Sequence, residues 1–280
     1  MKTKVWFITG ASKGLGLALV QKLLAAGYRV AATSRNVADL QKAVGAGPDN
    51  FLPLGMNLLD EADVEKGIQQ TAAHFGQLDV IVNNAGYGLL GALEELSDAE
   101  SRANFDVNVF GSLNVIRKAL PILRAQQSGH IFNVSSIGGF TGAFPGFGIY
   151  CATKFAVQGL TESLATEVKP FGIHATIVSP GYFRTSFLTD NSLGVTKTEI
   201  PGYGHVREVQ NAHQHSYNGN QAGDPDKAAD VMIQVAEQPE PPVHLFLGAD
   251  AYALAEEKIS SVRKDMEQLK NLATATAYAV

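Results

Sequence analysis

At 280 residues, with 45% hydrophobic and 18% charged residues, the chain has the apolar material for one large core, and a single α/β domain can reach this length. Its formal net charge of −5 and scattered lysines and arginines form no basic stripe, which excludes nucleic acid as the expected partner. The single cysteine, Cys151, excludes an internal disulfide, and no apolar run is long enough to span a bilayer.

The N-terminal Met1-Lys2-Thr3-Lys4 runs straight into an apolar strand and lacks a signal peptide's long apolar region, so a cytoplasmic protein without membrane contact is expected. Val5–Thr9 reads as a buried first strand, and Leu15–Ala26 as an amphipathic helix closed by Gly27. Strands follow at Tyr28–Thr33, Phe51–Leu58 and Leu78–Asn83, separated by helical segments. Ser97-Asp98-Ala99-Glu100 is a capping box that opens one long helix toward Gln126, bent at Pro121. Further strands are expected at His130–Ser135, His174–Ser179 and Val243–Leu247. The segment Tyr182–Gly223, rich in Gly, Asn, His and Tyr, reads as a long substrate loop, ended by a helix that Asp224-Pro225 begins. Asp250–Leu272 has helical spacing and high charge, an exposed amphipathic helix.

This alternation predicts a Rossmann-type, doubly wound, mainly parallel seven-stranded α/β sheet with helices on both faces. Residues 1–249 form the dinucleotide-binding domain, and 250–280 a helical extension of it. Ligand belongs at the carboxyl ends of the strands.

Thr9-Gly10-Ala11-Ser12-Lys13-Gly14-Leu15-Gly16 joins the first strand to the first helix. Glycines there permit a tight turn, and the helix N-terminus presents N–H groups to an anion. At the end of the second strand stands Ser34-Arg35-Asn36, with no carboxylate before Asp39. A carboxylate would repel a 2′-phosphate; Arg35 and Lys13 attract one, which favours NADP(H) over NAD(H).

Tyr150 and Lys154 lie four residues apart, one turn of a helix. A free phenol has a pKa of about 10; a nearby ammonium and oxidised nicotinamide favour its phenolate. Ser136 ends a strand, where it can hydrogen-bond a substrate carbonyl. Asn108 lies in an apolar helix where asparagine has poor propensity: either it caps a local irregularity or it holds a water in a proton path.

Thr9–Gly16, Asn83-Asn84-Ala85-Gly86, Asn108, Ser136, Tyr150, Lys154 and Pro180-Gly181 together resemble the short-chain dehydrogenase/reductase family over residues 1–248. The nearest likeness is to bacterial proteins similar to 17β-hydroxysteroid and retinol dehydrogenases. The resemblance implies Tyr150 as general acid/base, Ser136 as carbonyl-orienting residue, and Lys154 as ribose ligand and pKa modifier. Asn108 would hold a water linking Lys154 to solvent. Cofactor contacts are implied for Gly10, Ser12, Lys13, Gly14, Leu15, Gly16, Ser34 and Arg35. Asn84, Ala85 and Gly86 would line the adenosine side, and Phe183 and Thr185, after Pro180 and Gly181, the nicotinamide carboxamide. Asn57, beside Leu58, stands where the family commonly has an aspartate on adenine; its amide oxygen can still accept from the adenine amine.

Tyr87, Ile137, Gly138, Phe144, Phe147, Tyr182 and Phe187 are expected to wall an apolar substrate pocket, with Phe140 beside them. His205, His213 and His215 read as residues of a solvated mobile loop, and no metal site is expected. The function expected is reversible NADP(H)-dependent conversion of a ketone or aldehyde to an alcohol on an apolar small molecule. The alternatives are a 3-oxoacyl thioester reductase and a non-catalytic NADP(H) sensor. A homodimer through the long helices is implied by the resemblance.

Overall fold

The structure, a computed structural model, describes residues 3–45, 49–189 and 192–278. In chain order the elements are β1 (Val5–Ile8), α1 (Gly14–Ala25), β2 (Arg29–Ser34), α2 (Val37–Val44), β3 (Phe51–Gly55), α3 (Glu61–Phe75), β4 (Val80–Asn83) and β5 (Gly88–Leu90). They continue with α4 (Asp98–Phe105), α5 (Gly111–Gln126), β6 (Gly129–Val134), α6 (Gly148–Val168), β7 (Ile173–Pro180) and β8 (Leu193–Val195). The last are α7 (Gly204–Asn211), α8 (Pro225–Ala236), β9 (His244–Leu247) and α9 (Ala249–Thr274).

Seven strands form one sheet in the order β3-β2-β1-β4-β6-β7-β9, every pair parallel. This is the doubly wound sheet expected from the alternation. Successive residues of β1 point to opposite faces, so Trp6 and Ile8 enter one core and Phe7 the other. Leu19 and Leu23 of α1 and Met232 and Val235 of α8 cover the first face. Ile68 of α3, Val115 of α5 and Leu164 of α6 cover the second. Burial on both faces is why the strands read as unbroken apolar runs. Strand order reverses between β1 and β4, which opens a crevice at their carboxyl ends.

Capping sets several helix starts: Asp60 accepts from Ala62 N and Asp63 N, and Ser97 and Glu100 form the expected reciprocal box. Some expected elements come out differently. The helix expected from Ser97 to Gln126 is interrupted by a π-helical turn, Asp106–Phe110. The segment expected to be a loop, Tyr182–Gly223, contains β8, α7 and a further π-helical stretch, Ala212–Tyr217. It is a folded lid. β8 pairs in parallel with β5, register Gly88↔Leu193, and the lid's two ends meet where Phe183 bridges Gly223. No helix among the described residues is long and apolar enough to cross a membrane.

Candidate active site

The turn after β1 is built around backbone contact. Gly10 and Gly14 have φ of 65° and 61°, and a Cβ on Gly10 would lie 2.7 Å from Ala85 Cα. Asn84 stitches the turn to β4: its Nδ2 donates to Thr9 O (2.9 Å) and Gly10 O (3.0 Å). Thr9 Oγ1 in return accepts from Asn84 N and Ala85 N, both at 3.1 Å. The Asn84 amide is therefore spent on shaping the turn, although the residue also borders the cavity beside it.

That cavity has a volume of about 720 Å³ and runs from the glycine turn to the lid. Of the cofactor residues expected from the sequence, Gly10, Ser12, Lys13, Gly14, Leu15, Ser34, Arg35, Asn57, Leu58, Asn84, Ala85, Gly86, Tyr150, Lys154, Pro180, Gly181, Phe183 and Thr185 line it. So do Ser136 and all seven expected pocket residues: Tyr87, Ile137, Gly138, Phe144, Phe147, Tyr182 and Phe187. Two expected residues are not on its wall. Gly16 lies beneath the turn, where a Cβ would meet Asn84 Nδ2 at 2.5 Å. Asn108 is buried behind Gly86.

Asn108 stands inside the π-helical turn, and its amide is fully engaged. Oδ1 accepts from Tyr87 N (3.0 Å), while Nδ2 donates to Tyr87 O (3.0 Å) and Thr153 Oγ1 (3.0 Å). Asn108 does sit at a local irregularity, and its side chain holds the backbone of Tyr87 in place.

At the cofactor end, Lys13 and Arg35 are exposed and mutually close. Partial burial, and then the Arg35 charge, push the Lys13 ammonium below its ordinary value. An anion between two such cations relieves their repulsion. Ser34 is different: its hydroxyl donates to Asn36 O in a very short bond. Asn57 Oδ1 already accepts from Leu59 N (3.1 Å), so one lone pair remains for an adenine amine.

Tyr150 and Lys154 sit on α6, 8% and 5% exposed. Lys154 Nζ donates to Val134 O (2.9 Å) and lies 5.8 Å from the centre of the Tyr150 ring. Burial lowers the Lys154 pKa to about 8. Burial also pushes the Tyr150 phenol well above its usual value, opposed by a hydrogen bond from Ser136. The expected acidification of the phenol by Lys154 is thus not what dominates; desolvation of the phenolate does. Ser136 Oγ accepts from Gly138 N (3.0 Å), which places the hydroxyl at the start of a 3₁₀ turn.

Three site features escaped the sequence reading. Gln158, one turn beyond Lys154, reaches Ser135 Oγ (3.3 Å) and Ser179 Oγ (3.2 Å) and ties β6 to β7. Its spacing from Lys154 was the available signal. Gln221 and His213 border the cavity from the lid. His213 is 6% exposed, not solvated: Nε2 meets Tyr182 Oη at 2.9 Å and Nδ1 meets Val209 O at 2.7 Å. Phe140, expected beside the pocket, instead packs on Phe246 and α9.

The family model for short chain dehydrogenase matches residues 4–194. Oxidoreductase BOA17 of Botryotinia fuckeliana is 36% identical over 276 residues, which cover 98% of this chain and all of the relative. A short-chain dehydrogenase from Streptomyces avermitilis superposes with a TM-score of 0.90 at 35% identity, covering 99% of this chain and 100% of that one. The 3-ketoacyl-(acyl-carrier-protein) reductase from Brucella melitensis, complexed with NADH, gives a TM-score of 0.72 at 26% identity, covering 87% and 96%. The parallel seven-stranded sheet agrees with these matches: the chain belongs to the short-chain dehydrogenase family of NAD(P)-binding oxidoreductases.

Proposed function

We propose that this oxidoreductase interconverts a ketone or aldehyde and an alcohol on an apolar small molecule, with NADP(H) as its dinucleotide. The observation that carries this reading is the burial of Tyr150, with Ser136 on the same cavity wall and Lys154 one turn on, in the cavity that the glycine turn also borders. When bound, the nicotinamide supplies or accepts the hydride at the carbonyl carbon. Lys13 and Arg35 would hold the adenosine 2′-phosphate, since a phosphate offsets their repulsion.

Burial keeps the Tyr150 phenol protonated, the form that reduction needs in a proton donor. Ser136 uses a lone pair on Gly138 N–H, and its single O–H can turn to an oxygen lodged beside Tyr150. As Tyr150 gives up its proton, the Lys154 ammonium stabilises the phenolate that remains. Phe144, Phe147 and Phe187 make the surrounding wall apolar.

The test is NADPH oxidation against aryl ketones, steroids, retinoids and acyl thioesters. Tyr150→Phe should lower turnover by roughly 10²–10⁴-fold with NADPH binding retained. Unchanged turnover removes Tyr150 as the acid, and consumption with thioesters alone reassigns the substrate class.

A further inference from the structure

The proton-transfer scheme leaves one partly buried polar assembly of the cavity unused. Tyr182 directly follows the turn after β7, where its backbone N donates to Asp250 Oδ2 at 2.7 Å. Its hydroxyl lies 2.9 Å from His213 Nε2, and His213 Nδ1 lies 2.7 Å from Val209 O. A carbonyl oxygen only accepts, so Nδ1 carries the ring proton. Burial keeps the imidazole neutral, so Nε2 is a bare acceptor. Tyr182 must therefore donate its hydroxyl proton to His213, and its oxygen is left with lone pairs alone.

The assembly is close to the proposed acid. The ring of Phe147 is 6.1 Å from Tyr150 and 4.9 Å from His213, and all four side chains border the same cavity. Gln221, buried on that wall, has both amide atoms without a partner among the described residues. These are polar groups set into an otherwise aromatic surface, where an unmatched one weakens binding.

Resting on the carbonyl-reductase reading, we propose that Tyr182 Oη, oriented as an acceptor by His213, recognises a hydroxyl that the substrate carries in addition to its carbonyl. The preferred substrates are apolar hydroxyketones. Masking that hydroxyl as an ether leaves the Tyr182 oxygen desolvated and unpaired.

The test compares hydroxyaryl ketones with their methyl ethers, the substituent placed at each ring position. Binding is read by ligand-observed NMR, with and without NADP⁺, so that no turnover is needed. At least one hydroxy isomer should bind the unaltered protein about tenfold more tightly than its ether, the size of one satisfied hydrogen bond. Tyr182→Phe should bring that ratio to within about twofold of unity, and His213→Leu should narrow it by releasing the phenolic proton. A Tyr182–His213 pair that merely latches the lid would weaken both ligands alike and keep the ratio. A ratio that persists in Tyr182→Phe, a protein that does not discriminate at any ring position, or no binding of any hydroxyketone overturns the proposal. Failure of the carbonyl-reductase reading would appear instead as absent NADPH oxidation, in a separate assay.

Discussion

Arg35 and Lys13 are drawn together by two different elements, one at the end of β2 and one at the entrance to α1. Burial, and then the Arg35 charge beside it, lower the Lys13 pKa. A phosphate dianion can take charge-assisted hydrogen bonds from both cations that a neutral ribose hydroxyl cannot. Arg35→Asp should therefore weaken NADPH by about tenfold or more, the loss of a charged hydrogen bond, and shift preference toward NADH. A cofactor ratio equal to that of the unaltered protein would show that Arg35 does not read the phosphate. Tyr150 and Lys154 teach a different lesson at the same scale. Their identity and spacing were legible from the sequence, but the sign of the phenol's shift was not, because burial is a property of everything packed around α6. Asn108 is similar. Its oddity in an apolar helix was visible, yet its partners, Tyr87 and Thr153, are separated from it by 21 and 45 residues.

At the scale of elements, the lid is held by one buried carboxylate. Glu95 accepts from Ala92 N (2.8 Å) and Ile200 N (3.0 Å) and pairs with Arg207 of α7. Burial raises the Glu95 pKa, but the two backbone donors and the Arg207 charge outweigh it and hold the carboxyl below its ordinary range. Removing the charge leaves Arg207 without its buried counter-ion. Glu95→Gln should loosen β8 and α7, raising substrate KM severalfold and hastening amide exchange over residues 193–211. Unchanged exchange there would show that the lid is held by other contacts. The same interactions explain why the lid was read as a loop. Its elements are short, β8 having three residues and α7 eight, too few for a hydrophobic period to declare itself. Its order comes from distant partners in β5 and in the 92–95 turn. The main-sheet strands were legible for the opposite reason, since burial on both faces makes each a continuous apolar run. The third strand is shorter than its apolar run predicts: the chain leaves the sheet at Gly55, and Met56, Asn57 and Leu58 turn to the cavity instead.

Across the whole molecule, the two cores clamp one sheet, and His130, a buried histidine of one of its strands, is a measure of that clamp. His130, the second residue of β6, stacks on Phe132 at 3.9 Å and meets Thr176 Oγ1 at 2.9 Å. Because Thr176 Oγ1 donates to Pro242 O, His130 Nε2 carries the proton and the ring is neutral. Burial, then the charges of His174 and Lys4, lowers its pKa from 6.5 to about 3. Between those values the unfolded chain binds a proton that the folded chain does not, so stability falls as pH falls from 6.5 toward about 3. His130→Asn should flatten that acid limb in denaturant titrations; an identical pH dependence would assign the loss to other groups. The cavity, the lid and the Lys13–Arg35 pair lie together at the carboxyl ends of that sheet. The site's central element is the Tyr150 hydroxyl, and the most direct measurement is a crystal structure with NADP⁺ and a ketone bound. The expected result is a carbonyl oxygen within about 3 Å of Tyr150 Oη, its carbon about 3–3.5 Å from nicotinamide C4. A nicotinamide docked away from Tyr150, or a phenol turned out of the cavity, would contradict it.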